Sequence, residues 1–113
     1  MTPLEARELI LSESVNELGV VVRLRMGEDP GPERMGRLLE ASKVIFNELQ
    51  GATTIDRRLA GALHALAVFS DQKISSRARQ GREWRRNLVD TEVPALSTSV
   101  LSIFEDAWVD LLI

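Results

Sequence analysis

The residues best suited to chemistry with a partner lie in the segment KISSRARQGREWRR, residues 73–86. It carries six positive charges, one negative charge and one tryptophan in fourteen positions, although the whole chain has a net charge of −3. Most of these cations are arginines, whose planar guanidinium forms paired hydrogen bonds with either a carboxylate or a phosphate. The segment therefore suits an acidic protein surface, on the same chain or another, or a nucleic acid.

If this segment is helical, its cations lie on both sides of a thin apolar stripe. The positions are Arg79, Arg82 and Arg86 on one side, Lys73 and Arg77 on the other near Trp84, and Arg85 close to the stripe itself. A nucleic-acid-binding helix would gather its cations on one exposed face. Cations that flank an apolar stripe are instead well placed to meet carboxylates across a helix–helix contact.

Charge is unevenly divided along the chain. Residues 1–56 carry a net −4, residues 57–89 carry +6, and residues 90–113 carry −5 without a cation. Such a chain can neutralise itself by folding or by pairing with a copy of itself, with Glu105, Asp106 and Asp110 as candidate partners of the arginines. We favour a packing role for the basic segment over nucleic-acid binding, because the chain is acidic and has no nucleic-acid reading motif. A solvated helix without a partner is the remaining alternative.

His64 is the only histidine, and Arg58 precedes it by six residues. This R-x5-H spacing resembles the arginine–histidine motif of HEPN-type helical ribonucleases. The resemblance implies that Arg57 or Arg58 would hold phosphate near a dimer seam while His64 takes part in RNA cleavage. Leu59 follows Arg58, where that family commonly has a polar residue. We favour the alternative, an ordinary helix histidine.

Other chemical motifs are absent from the sequence. Without cysteine the chain can form no disulfide, thiol nucleophile or cysteine-based zinc site. Gly61 stands three positions before His64, where a di-metal helical bundle would need glutamate. Neither a G-x-S-x-G elbow nor a phosphate-binding loop occurs. We therefore predict that the protein is not an enzyme and uses no cofactor or metal.

Length and composition predict one domain over residues 1–113. Apolar residues make up 44% and charged residues 27% of 113 positions, the balance of a globular protein. The first residues, MTPLEARE, do not resemble a signal peptide, and no apolar run could span a bilayer. We expect a cytoplasmic protein that does not bind membranes.

Apolar residues recur at intervals of three and four, which predicts an all-α, compact bundle of four to five helices. The first helix is expected to begin with a capping box between Thr2 and Glu5. Its predicted apolar stripe is Leu4, Leu11, Val15, Leu18, Val22 and Met26. Residues 20–26 could instead form a strand, because apolar residues and arginines alternate there. A lone strand would have no obvious pairing partner, so we favour a helix.

Breaks between the later helices are indicated by glycine, proline and capping residues. GEDPGP, residues 27–32, predicts a loop followed by a helix from Pro32, and Gly51 predicts the end of that helix. Thr53 with Asp56 marks the next start. Residues 54–70 are expected to form the central helix, because alanines and Gly61 beside a broad apolar face permit close helix approach.

The sequence SDQ, residues 70–72, predicts a break or a bend before a separate basic helix. The last helix is expected to be capped by Asp90 or Thr91, with Pro94 in its first turn. It has two adjoining apolar faces, one formed by Leu96, Val100, Ile103, Ala107 and Leu111 and the other by Leu101, Phe104, Trp108 and Leu112. Two such faces imply burial on more than one side.

These observations predict a small regulator that binds and restrains a larger protein, in the manner of inhibitors, antiactivators and immunity proteins, and that forms a homodimer. Nucleic-acid binding through residues 73–86 is the alternative, and an HEPN-like ribonuclease is a more distant one. Leu4, Leu11 and Leu18, seven apart, could also pack against a second copy. The predicted partner-binding residues are Arg77, Arg79, Arg82, Trp84, Arg86, Phe104, Trp108 and Leu112.

Overall fold

The protein folds into helices that pack around one apolar core. A computed structural model describes residues 1–79 and 84–109, without the side chains of residues 76–79. In these residues there are five α-helices and no strand: α1 Pro3–Val15, α2 Val20–Arg25, α3 Pro32–Glu48, α4 Arg57–Arg79 and α5 Val93–Glu105. A π-helical turn, Leu88–Glu92, runs directly into α5. The predicted all-α bundle is confirmed.

Helix α1 begins as the sequence predicts but buries a different face. The Thr2 hydroxyl accepts the Glu5 N–H, and the Glu5 carboxylate accepts the Thr2 N–H in return. The predicted stripe is wrong: Leu4, Val15, Leu18 and Met26 are exposed, whereas Ala6 and Ile10 are fully buried. A continuous helix would have been needed to carry that stripe from Leu4 to Met26.

Asn16 and Gly19 break that predicted helix. Asn16 ends α1 in an extended conformation, and its side-chain oxygen accepts the Leu18 N–H at 2.9 Å. Gly19 lies so close to the end of α1 that an added Cβ would be 2.6 Å from the Glu13 carbonyl oxygen. Only glycine fits this approach, so the chain turns and restarts as α2. The predicted helical state of residues 20–26 is confirmed over Val20–Arg25.

The predicted boundaries of α3 are confirmed. Gly31, with φ of 92°, precedes Pro32 at the first helical position, and Gly51, with φ of 77°, follows the end of α3. The buried residues of α3 are Met35, Leu38, Ala41, Ser42, Ile45 and Phe46. This matches the predicted spacing of three and four residues.

Helix α4 also starts where expected, since the Asp56 carboxylate accepts the Leu59 N–H at 3.0 Å. The predicted break at SDQ is wrong, because α4 continues through residues 70–72 to Arg79. None of these three residues is a glycine or proline, and Ser70 and Ile74 are buried, so packing supports the helix across this point.

Salt bridges and hydrogen bonds show how the helices are arranged. Arg34, near the start of α3, pairs with Glu13, near the end of α1, whereas Arg7 pairs with Glu48, so these two helices are antiparallel. At the other side of the bundle, Asp106 accepts the Gly51 N–H at 3.0 Å, which joins the C-terminal ends of α3 and α5. Helix α4 packs against α1, α2 and α5.

The entry to α5 differs from the prediction. Asp90 and Thr91 do not cap a new helix, because helical structure already begins at Arg86 and passes through the π-helical turn. Within that turn the Val93 N–H donates to the Leu88 carbonyl. Pro94 has no N–H to donate and its ring crowds the preceding turn, and the wider π-helical turn leaves room for it.

Candidate functional site

The basic segment does not form one helix in the structure. Lys73 to Arg79 belong to the end of α4, and Trp84 and Arg85 lie outside any helix. Arg82 lies outside the described residues. The predicted cations of this segment are therefore distributed over two separate elements, because the chain leaves α4 before Trp84 and re-enters helix at Arg86.

Arg85 is partly buried and joins two acidic residues. Its Nε lies 2.8 Å from the Asp29 Oδ2, and its Nη1 and Nη2 each lie 2.6 Å from a Glu92 carboxylate oxygen. The Asn87 side chain donates a further bond to Glu92 at 3.2 Å. This Arg85 clamp, defined as Asp29, Arg85 and Glu92, ties the entry of α5 to the loop between α2 and α3.

The clamp changes the ionisation of its members. Burial opposes ionisation of Asp29, but hydrogen bonds from Arg85 and from the Gly31 N–H outweigh it and lower the pKa of Asp29. The hydrogen bonds that Arg85 donates to Glu92 raise its pKa most, and those that it donates to Asp29 raise it further. Arg85 does meet carboxylates, but they are a loop residue and a residue seven positions later rather than partners across a helix–helix contact. Of the expected partners, neither Glu105 nor Asp106 contacts Arg85.

The two suggested acidic partners that the structure describes have other surroundings. The Asp106 carboxylate accepts a hydrogen bond from the Gly51 N–H, and Glu105 is exposed at the end of α5. Asp110 lies outside the described residues. Sequence spacing could not reveal this, because Asp29 lies 56 residues before Arg85 and meets it only through the packing of α3 against α5.

Of the other arginines predicted to bind a partner, Arg86 is the one whose side chain the structure describes. The Arg86 side chain is 93% exposed, with its Nε 3.5 Å from the Asp90 Oδ2 one turn later. Arg77 and Arg79 lie in the last turn of α4, and their side chains lie outside those described. The exposed ion pair between Arg86 and Asp90 contributes little to stability. Arg86 is therefore available to a partner.

Trp84 is half-buried against the core. Its indole N–H is buried and has no hydrogen-bond partner among the described residues. Burial of an unpaired donor is unfavourable. Trp84 therefore packs against the core. Its role as a partner-binding residue stays a prediction.

Helix α5 has one buried and one exposed apolar face. Leu96, Val100 and Ile103 are buried, as predicted for the first face. On the second face Leu101 is 44% exposed and Phe104 is 48% exposed. We call Leu101, Phe104 and Trp108 the α5 face. A single copy therefore leaves Leu101 and Phe104 of the predicted second face about half exposed.

Trp108 lies beyond α5 rather than within it. The helix ends at Glu105 because Asp106 adopts the left-handed conformation, with φ of 54°. The Trp108 ring meets Phe46 of α3 edge-on at 5.2 Å, and the Lys43 ammonium stands 3.6 Å from its centre. Trp108 still retains 39% exposure. Leu112, predicted beside it, lies outside the described residues.

A groove of about 410 Å³ lies between α1, α2 and α4. Leu11, Val15 and Val21 line one side, and the small residues Gly61, Ala62 and Ala65 of α4 line the other, with Phe69 beyond them. Arg25 and Arg58 are the charged residues in its lining, which contains no carboxylate. We call this the α1–α4 groove. Sequence reasoning missed it, since its residues come from three helices.

Ser14 also lines the α1–α4 groove. Its side-chain oxygen is buried and has no hydrogen-bond partner among the described residues. Nearby, on another side of α1, the Glu13 carboxylate pairs with Arg34 at 3.1 Å. Burial raises the pKa of Glu13, while the charge of Arg34 acts in the opposite direction. Glu13 has its partner, whereas Ser14 has none.

The proposed ribonuclease pair is placed on α4. Arg58 lines the α1–α4 groove, whereas His64 is exposed and does not. Six residues rotate a helix by about 240°, so Arg58 and His64 project in different directions, while Arg57 returns to within about 20° of His64. The family's pairing would therefore fall on Arg57.

In the parts of the chain that the structure describes, no group of three metal-ligating side chains is found. No described helix combines the length and apolar character needed to cross a membrane. Comparison with known proteins found no matching family model, curated protein or solved structure.

Proposed function

We propose that this protein is a non-enzymatic regulator that forms a homodimer and binds a larger protein to restrain it. The observation that carries the proposal is the α5 face. After α5 fills the core with Leu96, Val100 and Ile103, it still presents Leu101 and Phe104 to solvent at nearly half exposure. Aromatic and aliphatic side chains gathered in this way are typical of protein-interaction surfaces.

The α5 face suits a second copy of the chain because of its charges. Glu105 lies at the C-terminal end of α5, and exposed Arg86 lies before its N-terminal end. In an isologous pair with antiparallel α5 helices, the acidic end of one copy approaches the basic segment of the other at both ends of the contact. The net charges of −5 for residues 90–113 and +6 for residues 57–89 favour this orientation.

The disposition of the basic segment supports protein binding over nucleic-acid binding. Arg85 is engaged by two carboxylates, and Arg86 stands next to Asp90. Carboxylates beside these guanidinium groups would repel a phosphate backbone, which depends on accumulated positive charge. The acidic chain as a whole acts in the same direction.

Light scattering over a concentration series tests the homodimer. We expect a mass twice the 12.6 kDa of the chain at micromolar concentration. Replacing Phe104→Glu should weaken association at least tenfold, since it puts a charge in the apolar contact. Met26→Glu is the matched control: it adds the same charge at an exposed apolar residue just after α2 and should leave the mass unchanged. A wild-type chain that stays monomeric at high micromolar concentration would contradict the homodimer.

Affinity purification from the native cell tests the larger partner. After nuclease treatment and a salt wash, we expect a protein to remain bound to the wild-type chain at a fixed ratio. Retention of nucleic acid alone, lost on nuclease treatment, would instead favour the nucleic-acid alternative. Cleavage of RNA that disappears in His64→Ala would contradict the non-enzymatic role.

A further inference from the structure

The α1–α4 groove has two features of a binding site. The Ser14 side chain is only 8% exposed, and its oxygen has no hydrogen-bond partner among the described residues. A serine inside a helix ordinarily bonds to the carbonyl one turn before it, as Ser42 does with Leu38 at 3.0 Å. Ser14 instead lines the groove with an unused polar atom, which a bound polar group could satisfy.

Gly61 supplies a second, independent feature. It lies inside α4, where glycine is less favourable than alanine. An added Cβ at Gly61 would meet no atom within 4 Å, so nothing within the described chain requires glycine there. With Ala62 and Ala65 it forms a small-residue surface of the kind that lets another helix approach closely. This open surface fits a helix better than an extended segment or a bulky ring.

The charges of the groove select the chemistry of that helix. Arg58 makes no ion pair with any described residue, and the groove lining contains no carboxylate. If two copies met groove to groove, arginine would lie opposite arginine at the centre of the contact, which is unfavourable. A helix that carries carboxylates complements the groove, whereas a second copy of it does not.

We propose that the α1–α4 groove binds an amphipathic, carboxylate-bearing helix of the protein that this chain restrains. The apolar face of that helix packs on Gly61, Ala65 and Phe69, and a carboxylate pairs with Arg58. The inference rests on the proposed function, because it names the partner's chemistry, and it assigns the partner to a different surface from the α5 face. Homodimerisation and partner binding can then occur together.

Photo-cross-linking at matched aromatic positions tests the assignment. Phe69 in the groove and Phe104 on the α5 face are each replaced by p-benzoylphenylalanine, in separate full-length chains expressed in the native cell. Mass spectrometry then locates the cross-linked segments. We expect position 69 to capture a segment of another protein with apolar residues at helical spacing and at least one carboxylate. Position 104 should capture a second copy of this chain.

Two further variants show whether capture depends on the groove. Gly61→Leu should reduce the yield at position 69 at least tenfold by occupying the open surface, whereas Gly61→Ala should leave most of it. A synthetic peptide of the captured segment should bind the wild-type chain at least tenfold more tightly than Arg58→Glu. Circular dichroism checks that each variant retains its helices.

Several outcomes would overturn the inference. They are an absence of cross-links at position 69, capture of a segment of this chain, capture of a segment without carboxylates, or equal yields in wild type and Gly61→Leu. If position 69 fails while position 104 captures a second copy and a larger protein still co-purifies, only the groove assignment is lost. If neither position captures protein and the chain is monomeric, the proposed function fails as well.

Discussion

The α5 face and the α1–α4 groove are both open to solvent, but they are built in opposite ways. The α5 face presents large side chains, Leu101, Phe104 and Trp108, from α5 and the residues just after it. The groove is concave, and its centre consists of Gly61, Ala62 and Ala65 between three helices. A protruding apolar face suits a symmetric contact with its own copy, whereas a charged groove requires a partner of different shape and opposite charge.

The two regions also differ in what holds them. The Arg85 clamp fixes the entry to α5, so the α5 face depends on charged hydrogen bonds. The groove depends on the close approach of Gly19 to the end of α1, which sets the position of α2. The two supports consist of different residues and differ in chemistry, so substitutions can test them one at a time.

The largest effect is expected at the clamp. Arg85→Ala leaves the buried carboxylate of Glu92 without its charged partner and should lower the free energy of unfolding by about 2–3 kcal/mol. Urea denaturation monitored by circular dichroism measures the change. Arg86→Ala, which removes a neighbouring exposed arginine, should cost less than about 0.5 kcal/mol. Equal losses in both variants would show that the clamp contributes nothing special.

The next largest effects are expected at Gly19 and Gly61, where alanine should change the free energy of unfolding in opposite directions. Gly19→Ala forces a Cβ against the Glu13 carbonyl and should destabilise the protein by about 1–3 kcal/mol. Gly61→Ala meets no atom and should stabilise it by about 0.5–1 kcal/mol through helix propensity. Thermal unfolding of both variants gives the comparison. If Gly61→Ala were destabilising, the surface above Gly61 would not be open.

The pH dependence of stability tests the Arg85 clamp further, and its effect is expected to be smaller. The pKa of Asp29 is lowered in the folded protein from an ordinary value of 3.8, so the folded state favours the ionised form. The stability from this shift is present above pH 3.8 and is lost as pH falls through the lower folded-state pKa. Asp29→Asn should therefore be less stable than wild type at pH 6, and the difference should shrink towards pH 2. Chemical denaturation at several pH values checks it, and a difference independent of pH would contradict it.

The smallest expected effect lies at the end of the α5 face. Lys43→Met removes the ammonium above the Trp108 ring but keeps an apolar side chain of similar length, and should cost about 0.5–1 kcal/mol. In a Trp108→Leu background the same substitution should cost less, because only the longer contact of 5.3 Å between Lys43 and the Phe46 ring remains. A double-mutant cycle by urea denaturation isolates this coupling. Additive losses would show that the two side chains do not interact.

Much of the fold could be predicted because its signals are local. Thr2 with Glu5, Gly31 with Pro32, Gly51 and Asp56 mark helix ends through the hydrogen bonds and backbone conformations that those residues favour. The apolar pattern of α3 identified its core face for the same reason. The missed break at Asn16–Gly19 had a local signal, but the valines that follow continued a helical spacing and concealed it.

The candidate sites also divide into those that local sequence could predict and those that it could not. The exposed residues Leu101 and Phe104 of α5 could be recognised from sequence, because helical periodicity separates them from the buried face of the same helix. The same periodicity wrongly placed Trp108 within that helix. The Arg85 clamp and the α1–α4 groove could not, because their members are brought together from distant parts of the chain. Charge identified Arg85 as a residue in need of a carboxylate, but many carboxylates in the sequence satisfied that condition.

The sequence by itself determined that this chain is helical, where α1, α3 and α4 begin, where α3 ends, and that α5 has more apolar surface than one side can bury. These properties follow from spacing and capping within a few turns of backbone. Only the tertiary structure decided that Arg85 joins Asp29 to Glu92 and that Ser14, Arg58 and Gly61 share one groove. Such pairings depend on how whole helices pack, and packing selects among many partners that local sequence leaves equivalent.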